Sequence, residues 1–221
     1  HEIKGLKIAF LAWNELPPAS GAGLLSALRA IRSSVDIVII LTHWGQEYQR
    51  HPNWSQRKLA ANLFEAGADI ILGSHPHVVQ DLQIEPPGSA RDRTRLVSYS
   101  LGNFVFDQGW GDTWEGLALR LLLDREGLRA VQALPVWTVP RPRWMAPGDA
   151  APLLERILPV ERDGFVCSID TCRSFPVPQE DRSGLFWSGA IDLTGDGHSE
   201  IIQRQGQSLE IYQDGQSVWH S

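Results

Sequence analysis

"ADIILGSHPHVVQ" (residues 68–80) decides the fold, because in it a buried strand leads directly into a pair of histidines. Residues 70–72 are apolar without alternation, which is typical of a strand covered on both faces, as in a parallel sheet. His75 and His77 follow on either side of Pro76, where that strand should end. Two interpretations compete for this segment: a turn that happens to carry histidines, and half of a metal site.

The residues before this stretch alternate between strand and helix patterns. Residues 7–13 and 36–41 are strand-like apolar runs, and residues 21–34 repeat leucines at helical spacing. A second helix is predicted from Ser55, as its N-cap, to Gly67. This alternating order predicts parallel strands joined by right-handed crossovers, with helices covering the sheet.

The chain after residue 78 reads as strands without intervening helices. The predicted strands are 78–84, 95–99, 103–106, 116–123 and 128–139. Residues 124–127 have the composition of a hairpin turn. The sheet therefore becomes antiparallel, or a second sheet begins.

Prolines then mark an irregular connector, at Pro135, Pro140, Pro142 and Pro147, and a short helix is predicted at 150–158. The predicted organisation is an α/β domain over residues 1–145, a connector over 146–183 and a small all-β segment over 184–221.

Length and composition exclude several classes of protein. With 221 residues, 43% of them hydrophobic, the chain can bury a sizeable core. The formal charge of −6 is spread without runs, so the basic surface of a nucleic-acid binder is absent and no nucleic-acid partner is expected. No apolar stretch approaches the roughly 18 residues of a membrane-spanning helix. The chain begins with His1, so we expect an internal fragment, and its compartment cannot be deduced from a leader.

Cys167 and Cys172 have four residues between them, which suits neither a redox CxxC motif nor a zinc knuckle. A small disulfide loop and two unrelated thiols both remain open.

His43 ends the strand at 36–41 just as His75 ends the strand at 68–72. Parallel strands bring their carboxyl ends to one edge of the sheet, so these side chains should converge there. A lone histidine is more often a solvated strand end, but histidines at two matching ends favour a metal site. Glu47 is either a surface carboxylate or a group that transfers a proton or orients a ligand. Asn103 is either a turn residue or part of the site.

Three blocks, "LTHWGQEY", "GADIILGSHPHVVQ" and "VSYSLGNFVFDQ", resemble the bacterial capsule-synthesis CapA family, associated with poly-γ-glutamate. The catalytic module of that family is similar to calcineurin-type metallophosphoesterases, and the resemblance covers roughly residues 5–140. It implies a layered αββα sandwich of two sheets flanked by helices, present here in part.

The resemblance also implies a two-metal centre of Mn, Fe or Zn. In it, His43 and His75 would share one metal and His77 would reach the other, with Glu47, His77 and Asn103 as catalytic residues. The acidic and Asn-His motifs of the superfamily should precede residue 7 and are not in this sequence. Asp36 and Asp69 open their strands and so lie at the opposite edge. We therefore expect this chain alone to be weakly active or inactive.

A second metal site is predicted in "DLTGDGHSE" (residues 192–200), where oxygen-bearing side chains and glycine turns suit Ca²⁺. The predicted ligands are Asp192, Thr194, Asp196, the carbonyl of His198, and Glu200. An ordinary acidic hairpin turn is the alternative. Together with residues 200–219, the segment resembles a single FG-GAP or VCBS repeat of a β-propeller.

These resemblances imply a metal-dependent hydrolase or transferase of capsule polymer biosynthesis at the cell surface. Its partners would be an anionic capsule polymer or a phospho-type substrate, and other capsule-synthesis proteins. The alternative is a non-enzymatic, calcium-dependent scaffold or adhesion protein with a degenerate phosphoesterase fold. A phosphodiesterase acting on nucleotides or lipids also remains open.

Overall fold

The computed structural model describes residues 1–15, 21–85 and 93–158, and beyond them the backbone of six strands. In this part of the chain no helix is both long and apolar enough to cross a membrane.

The main sheet has six strands in the order β1-β2-β3-β4-β6-β5. Its strands are β1 (Glu2–Ile3), β2 (Leu6–Asn14), β3 (Ile37–His43), β4 (Ile70–Ser74), β5 (Leu82–Glu85) and β6 (Arg95–Ser98). β2, β3, β4 and β6 are parallel, while β1 and β5 pair antiparallel at the two edges. The predicted α/β class with a parallel sheet is confirmed.

Two helices connect the parallel strands, α1 (Ala22–Ile31) and α2 (Trp54–Ala66). α2 begins after Asn53, whose side chain accepts a hydrogen bond from the Gln56 amide, while the Gln56 side chain accepts one from the Asn53 amide. The predicted cap at Ser55 was wrong, because this reciprocal capping box satisfies the free amides two residues earlier. The helix ends at Gly67, in the left-handed conformation that glycine adopts at helix ends.

The central strands β3 and β4 of the main sheet are largely buried on both faces, as their apolar sequences require. One face packs against α1 and α2, around Leu28, Val38, Ile40, Leu63 and Phe64. The other face packs against the second sheet and α3 (Pro147–Ile157), around Ile37, Ile39, Ile70, Leu96, Leu117, Val131, Leu153 and Ile157.

The second sheet is built on a long hairpin. It contains β7 (Glu115–Asp124), β8 (Gly127–Trp137), β9 (Arg143–Trp144), β10 (Val166–Ser168) and β11 (Thr171–Arg173). The turn predicted at 124–127 joins β7 to β8, and Pro135 lies within β8 rather than in a connector. Residues 103–106, predicted as a strand, form none, because Phe104, Val105 and Phe106 are exposed and only isolated bridges flank them. Cys167 and Cys172 are opposite each other in the pairing of β10 with β11.

Arg156 links the segment that follows the histidine pair to the second sheet. Arg156 of α3 donates to the Val79 carbonyl at 2.7 Å and to the Glu115 carboxylate at 2.6 Å. Val79 lies two residues after His77, so this contact fixes the segment that follows the histidine pair.

The last strands form an antiparallel sheet in sequence order. They are β12 (Trp187–Ile191), β13 (Glu200–Gln205), β14 (Ser208–Gln213) and β15 (Gln216–His220). Glu200 is the first residue of β13. The other predicted calcium ligands, Asp192, Thr194, Asp196 and His198, lie outside the described residues.

The close contact between β4 and the segment after β6 predicts that Gly73 cannot carry a side chain. A Cβ there would lie 2.0 Å from the Tyr99 carbonyl oxygen and 2.6 Å from Trp44 Nε1. We expect Gly73→Ala to lower the free energy of unfolding by roughly 2–4 kcal/mol. Gly23→Ala is the matched control, since a Cβ there meets nothing within 4 Å; it should raise stability by less than about 1 kcal/mol. Urea denaturation measures both, and equal stability of the two variants would contradict the packing described.

Candidate metal centre

The three predicted histidines lie together at the carboxyl edge of the main sheet. In the parallel register, His43 pairs with Asn14 of β2 on one side and with Ser74 of β4 on the other. The ring centroids of His43 and His75 are 4.5 Å apart, and those of His75 and His77 are 6.3 Å apart. Topology thus brings residues from two distant segments into one cluster, as the parallel sheet predicts.

The histidine pair is held in an uncommon backbone conformation. His75 has φ of 98° and His77 has φ of 61°, in the region that side chains other than glycine rarely adopt. Such conformations cost about 1–3 kcal/mol each and persist only when the surrounding structure enforces them. Here the carbonyl of the intervening Pro76 accepts a hydrogen bond from the Tyr48 amide at 2.8 Å.

Two asparagines contact Nδ1 of two of these histidines. Asn103 Oδ1 lies 2.8 Å from His77 Nδ1, and Asn14 Oδ1 lies 3.1 Å from His43 Nδ1. An amide oxygen can only accept, so in the neutral ring Nδ1 carries the hydrogen and Nε2 keeps its lone pair. Asn103 is buried and donates its amide to the Thr113 carbonyl at 3.3 Å, which fixes its orientation.

Glu47 belongs to the same cluster. Its Oε1 lies 3.9 Å from His77 Nε2, and one potential ligand atom from each of Glu47, His75 and His77 lies within 4.8 Å of the other two. Asp69 lies at the opposite edge, as expected, where its carboxylate accepts the Val38 amide at 2.7 Å. Among the residues that the structure describes, Glu47 is therefore the carboxylate grouped with His75 and His77.

Burial favours the neutral form of His43. The pKa of His43 is lowered, first by desolvation and then by the positive charges that His75 and His77 carry when protonated. Imidazole binds a metal only when it is neutral, so this environment favours a histidine that can act as a ligand.

Aromatic rings line the open side of the cluster. The loop formed by residues 103–114, here called the aromatic loop, places the Phe106 ring 4.9 Å from the His77 ring. Tyr48 stacks near His77 at 6.0 Å, and its ring lies 4.9 Å from Trp110. Phe106 and Trp110 are 48% and 54% exposed, so their faces are available to a ligand.

An ion pair ties the aromatic loop to the loop that follows β3. Arg50 holds both oxygens of Asp112, with Nη2 2.8 Å from Oδ1 and Nε against Oδ2. Gln108 adds a hydrogen bond of 2.9 Å to the Tyr48 hydroxyl. The hydrogen bond and the charge of Arg50 lower the pKa of Asp112.

Sequence reasoning missed Asn14 and Glu15. Asn14 is the last residue of β2, the third parallel strand at this edge, and Glu15 follows it, so the rule that located His43 and His75 also applied to them. Glu15 donates its amide to the His43 carbonyl at 2.9 Å, and its carboxylate accepts the Gly45 amide at 2.8 Å. His51 lies outside this cluster: its side chain is 68% exposed and bonds to Asp81.

The fold and the cluster define an α/β chain in which three histidines lie together at the carboxyl edge of a parallel sheet. The first half of the chain matches one protein family. Residues 1–108 match the family described as bacterial capsule synthesis protein PGA_cap. The PGA biosynthesis protein CapA of Bacillus subtilis (strain 168) is 37% identical over 119 residues, which are 54% of this chain and 30% of that protein. The capsule biosynthesis protein CapA of Bacillus anthracis is 39% identical over 105 residues, which are 48% of this chain and 24% of that protein.

The matched region thus spans 30% or less of the length of these relatives. The comparisons support the resemblance of the first half of the chain to the CapA family, and both of these relatives are named as biosynthesis proteins of PGA or capsule.

Removing the Asn14 side-chain amide should release the His43 ring. In Asn14→Ala, the hydrogen of neutral His43 should move from Nδ1 towards Nε2, which long-range ¹H–¹⁵N correlation measures at about pH 8, above the usual pKa of histidine. His77 is the internal control, because its partner is Asn103 and its tautomer should stay unchanged. An unchanged His43 tautomer would show that Asn14 does not set it.

The Arg50–Asp112 pair should make stability depend on pH in the acid range. Because the pKa of Asp112 is lowered in the folded protein, the pair contributes fully above the usual aspartate pKa of about 3.9. That contribution is lost as the pH falls through the lowered pKa of Asp112. The difference in unfolding free energy between wild type and Asp112→Asn should therefore shrink in acid. A difference that stays constant with pH in urea denaturation would contradict this.

Proposed function

We propose that the chain contributes His43, His75 and His77 to a metal-dependent hydrolase or transferase site in a CapA-like protein of poly-γ-glutamate or related capsule polymer biosynthesis. The convergence of these three side chains at one sheet edge carries the proposal. It is supported by the match of residues 1–108 to the capsule-synthesis family.

The donor set fits a divalent transition metal. Imidazole suits Mn, Fe and Zn alike, and the contacts of Asn14 and Asn103 leave Nε2 of His43 and His77 free to bind. A bound metal would polarise a phosphoryl-type or acyl-type oxygen near neutral pH. We propose a two-metal centre in the whole protein, with His43 and His75 on one metal and His77 on the other.

The other groups of the cluster have supporting roles in this proposal. Asn103 orients His77 through the contact with Nδ1. Glu47 is exposed beside His77 Nε2 and can hold or pass a proton at its carboxylate. The aromatic loop excludes water from one side of the histidines.

The proposed architecture is a two-sheet sandwich flanked by helices, of which this chain supplies a part. The helices on one face of the main sheet, and the second sheet on the other, support it. We propose that further acidic ligands come from a segment outside this sequence, and that the protein acts at the cell surface on an anionic polymer or a phospho-type substrate.

We also propose that the loop at residues 192–200 binds Ca²⁺ within an FG-GAP-like or VCBS-like repeat, for which the antiparallel order of β12 to β15 is the supporting observation.

The test compares two histidine variants of the full-length parent protein. His75→Ala should lower the metal content and reduce hydrolysis of a phosphodiester or a γ-glutamyl peptide by about 100-fold or more, because it removes a proposed metal ligand. His51→Ala is the control, because His51 pairs with Asp81 and lies outside the cluster. It should leave the metal content and the rate of hydrolysis within about twofold of wild type.

Full activity in His75→Ala would refute the proposed site. A parent protein that binds capsule polymer, holds no metal at the histidines and shows no turnover would favour the scaffold alternative.

A further inference from the structure

We infer that the hairpin joining β8 to β9 is a docking surface for an extended polycarboxylate chain, and that Arg141 and Arg143 bind the carboxylates of that chain. This hairpin, residues 137–144, is here called the basic hairpin. The inference rests on the proposed function in taking an anionic polymer as the substrate. The basic hairpin itself lies beyond residues 1–108, which match the capsule-synthesis family.

The basic hairpin is a positive patch in an acidic chain. Residues 137–146 include two arginines and no Asp or Glu, whereas the whole chain has a formal charge of −6. Arg141 and Arg143 are both exposed. Within the part of the chain that the structure describes, neither forms an ion pair, while Arg50 and Arg156 each pair with a carboxylate. Both guanidinium groups are therefore available to an anion from solution.

The hairpin presents these groups on a restrained backbone. β9 pairs antiparallel with the end of β8, with Arg143 opposite Trp137. The Arg143 guanidinium lies over the Trp137 ring, 5.7 Å from its centroid, and the Trp137 indole donates to the Asp149 carboxylate at 3.3 Å. Prolines on both sides of Arg141 restrict the backbone there. Less conformational freedom is lost on binding when the binding groups are already held in place.

Hydrogen bonds connect the base of the basic hairpin to the histidine cluster. The Thr113 carbonyl accepts from Thr138 Oγ1 at 3.2 Å and from the Asn103 side-chain amide at 3.3 Å. Asn103 in turn contacts His77 Nδ1 at 2.8 Å. The Thr138 amide also donates to the Trp114 carbonyl at 2.9 Å, at the end of the aromatic loop. A chain docked on the hairpin can therefore run along the aromatic loop to the histidines.

The chemistry of the patch favours carboxylates on a flexible polymer. Glutamate side chains are ionised above a pH of about 4.3, and the planar guanidinium group binds a carboxylate through two parallel hydrogen bonds. Trp114 and Trp144 are 42% and 55% exposed, so their rings offer apolar surface to the methylene groups between the charges. Two arginines in an acidic chain fall short of the basic surface that a nucleic-acid backbone requires.

The test measures binding of the metal-free 221-residue chain to immobilised poly-γ-glutamate by biolayer interferometry, in about 50 mM NaCl, where exposed charges are weakly screened. The double variant Arg141→Gln/Arg143→Gln should bind at least about fivefold more weakly, because two exposed charge contacts are lost. Arg29→Gln/Lys58→Gln is the matched control: it removes the same charge from exposed positions on α1 and α2, which cover the opposite face of the main sheet. The affinity of this control should stay within about twofold of wild type.

The outcomes separate this inference from the proposed function. Wild-type affinity in the hairpin variant, or an equal loss in the control, would overturn the docking surface and leave the proposed metal chemistry standing. Full hydrolysis by His75→Ala in the parent protein, with polymer binding lost only in the hairpin variant, would overturn the proposed function and leave the docking surface.

A second polymer tests the class of ligand. Inorganic polyphosphate should compete for the basic hairpin more weakly than free poly-γ-glutamate at equal charge, and tighter binding of polyphosphate would overturn the assignment to carboxylates. Circular dichroism checks the fold of each variant. All substituted residues of the two double variants are exposed, so we expect the fold to be kept.

Discussion

The in-register parallel pairing of β2, β3 and β4 is the constraint on which the rest of the molecule depends. It places Asn14, His43 and Ser74 in one row across the sheet, and the turn that carries His75 and His77 starts from the end of that row. The row stays fixed because β3 and β4 beneath it are largely buried on both faces. A shift of one residue in any strand would turn the side chains of that strand to the other face and separate the cluster.

The edge of the sheet is rigid because backbone and side chains pack closely there. Trp44 is buried one residue after His43 and donates its indole N–H to the Tyr99 carbonyl at 2.8 Å, across the glycine of β4. This packing compensates for the left-handed conformations of His75 and His77. Stability of the core and strain at the histidines are therefore parts of the same arrangement.

Sequence reasoning predicted the parallel sheet and the convergence of the histidines, since both follow from local signals. Apolar runs mark buried strands, and the residue after each run marks the edge. Other features depend on contacts between distant residues. Arg50 and Asp112 are 62 residues apart, and His77 and Asn103 are 26 apart, so no local pattern joins them. Residues 103–106, the first part of the aromatic loop, are predicted as a strand from their composition, whereas the structure exposes Phe104 and Phe106 and places the Phe106 ring beside His77. The roles of the site residues and the calcium loop stay predictions.

The most direct measurement of the central claim is an anomalous diffraction map at the zinc absorption edge, from crystals of this chain grown with Zn²⁺. We predict a strong peak at the carboxyl edge of the main sheet, about 2.1 Å from an imidazole nitrogen of each of His43 and His75. A map with zinc only at other surface positions, or with the two rings turned away from a common point, would contradict the claim that the parallel strands assemble a metal site.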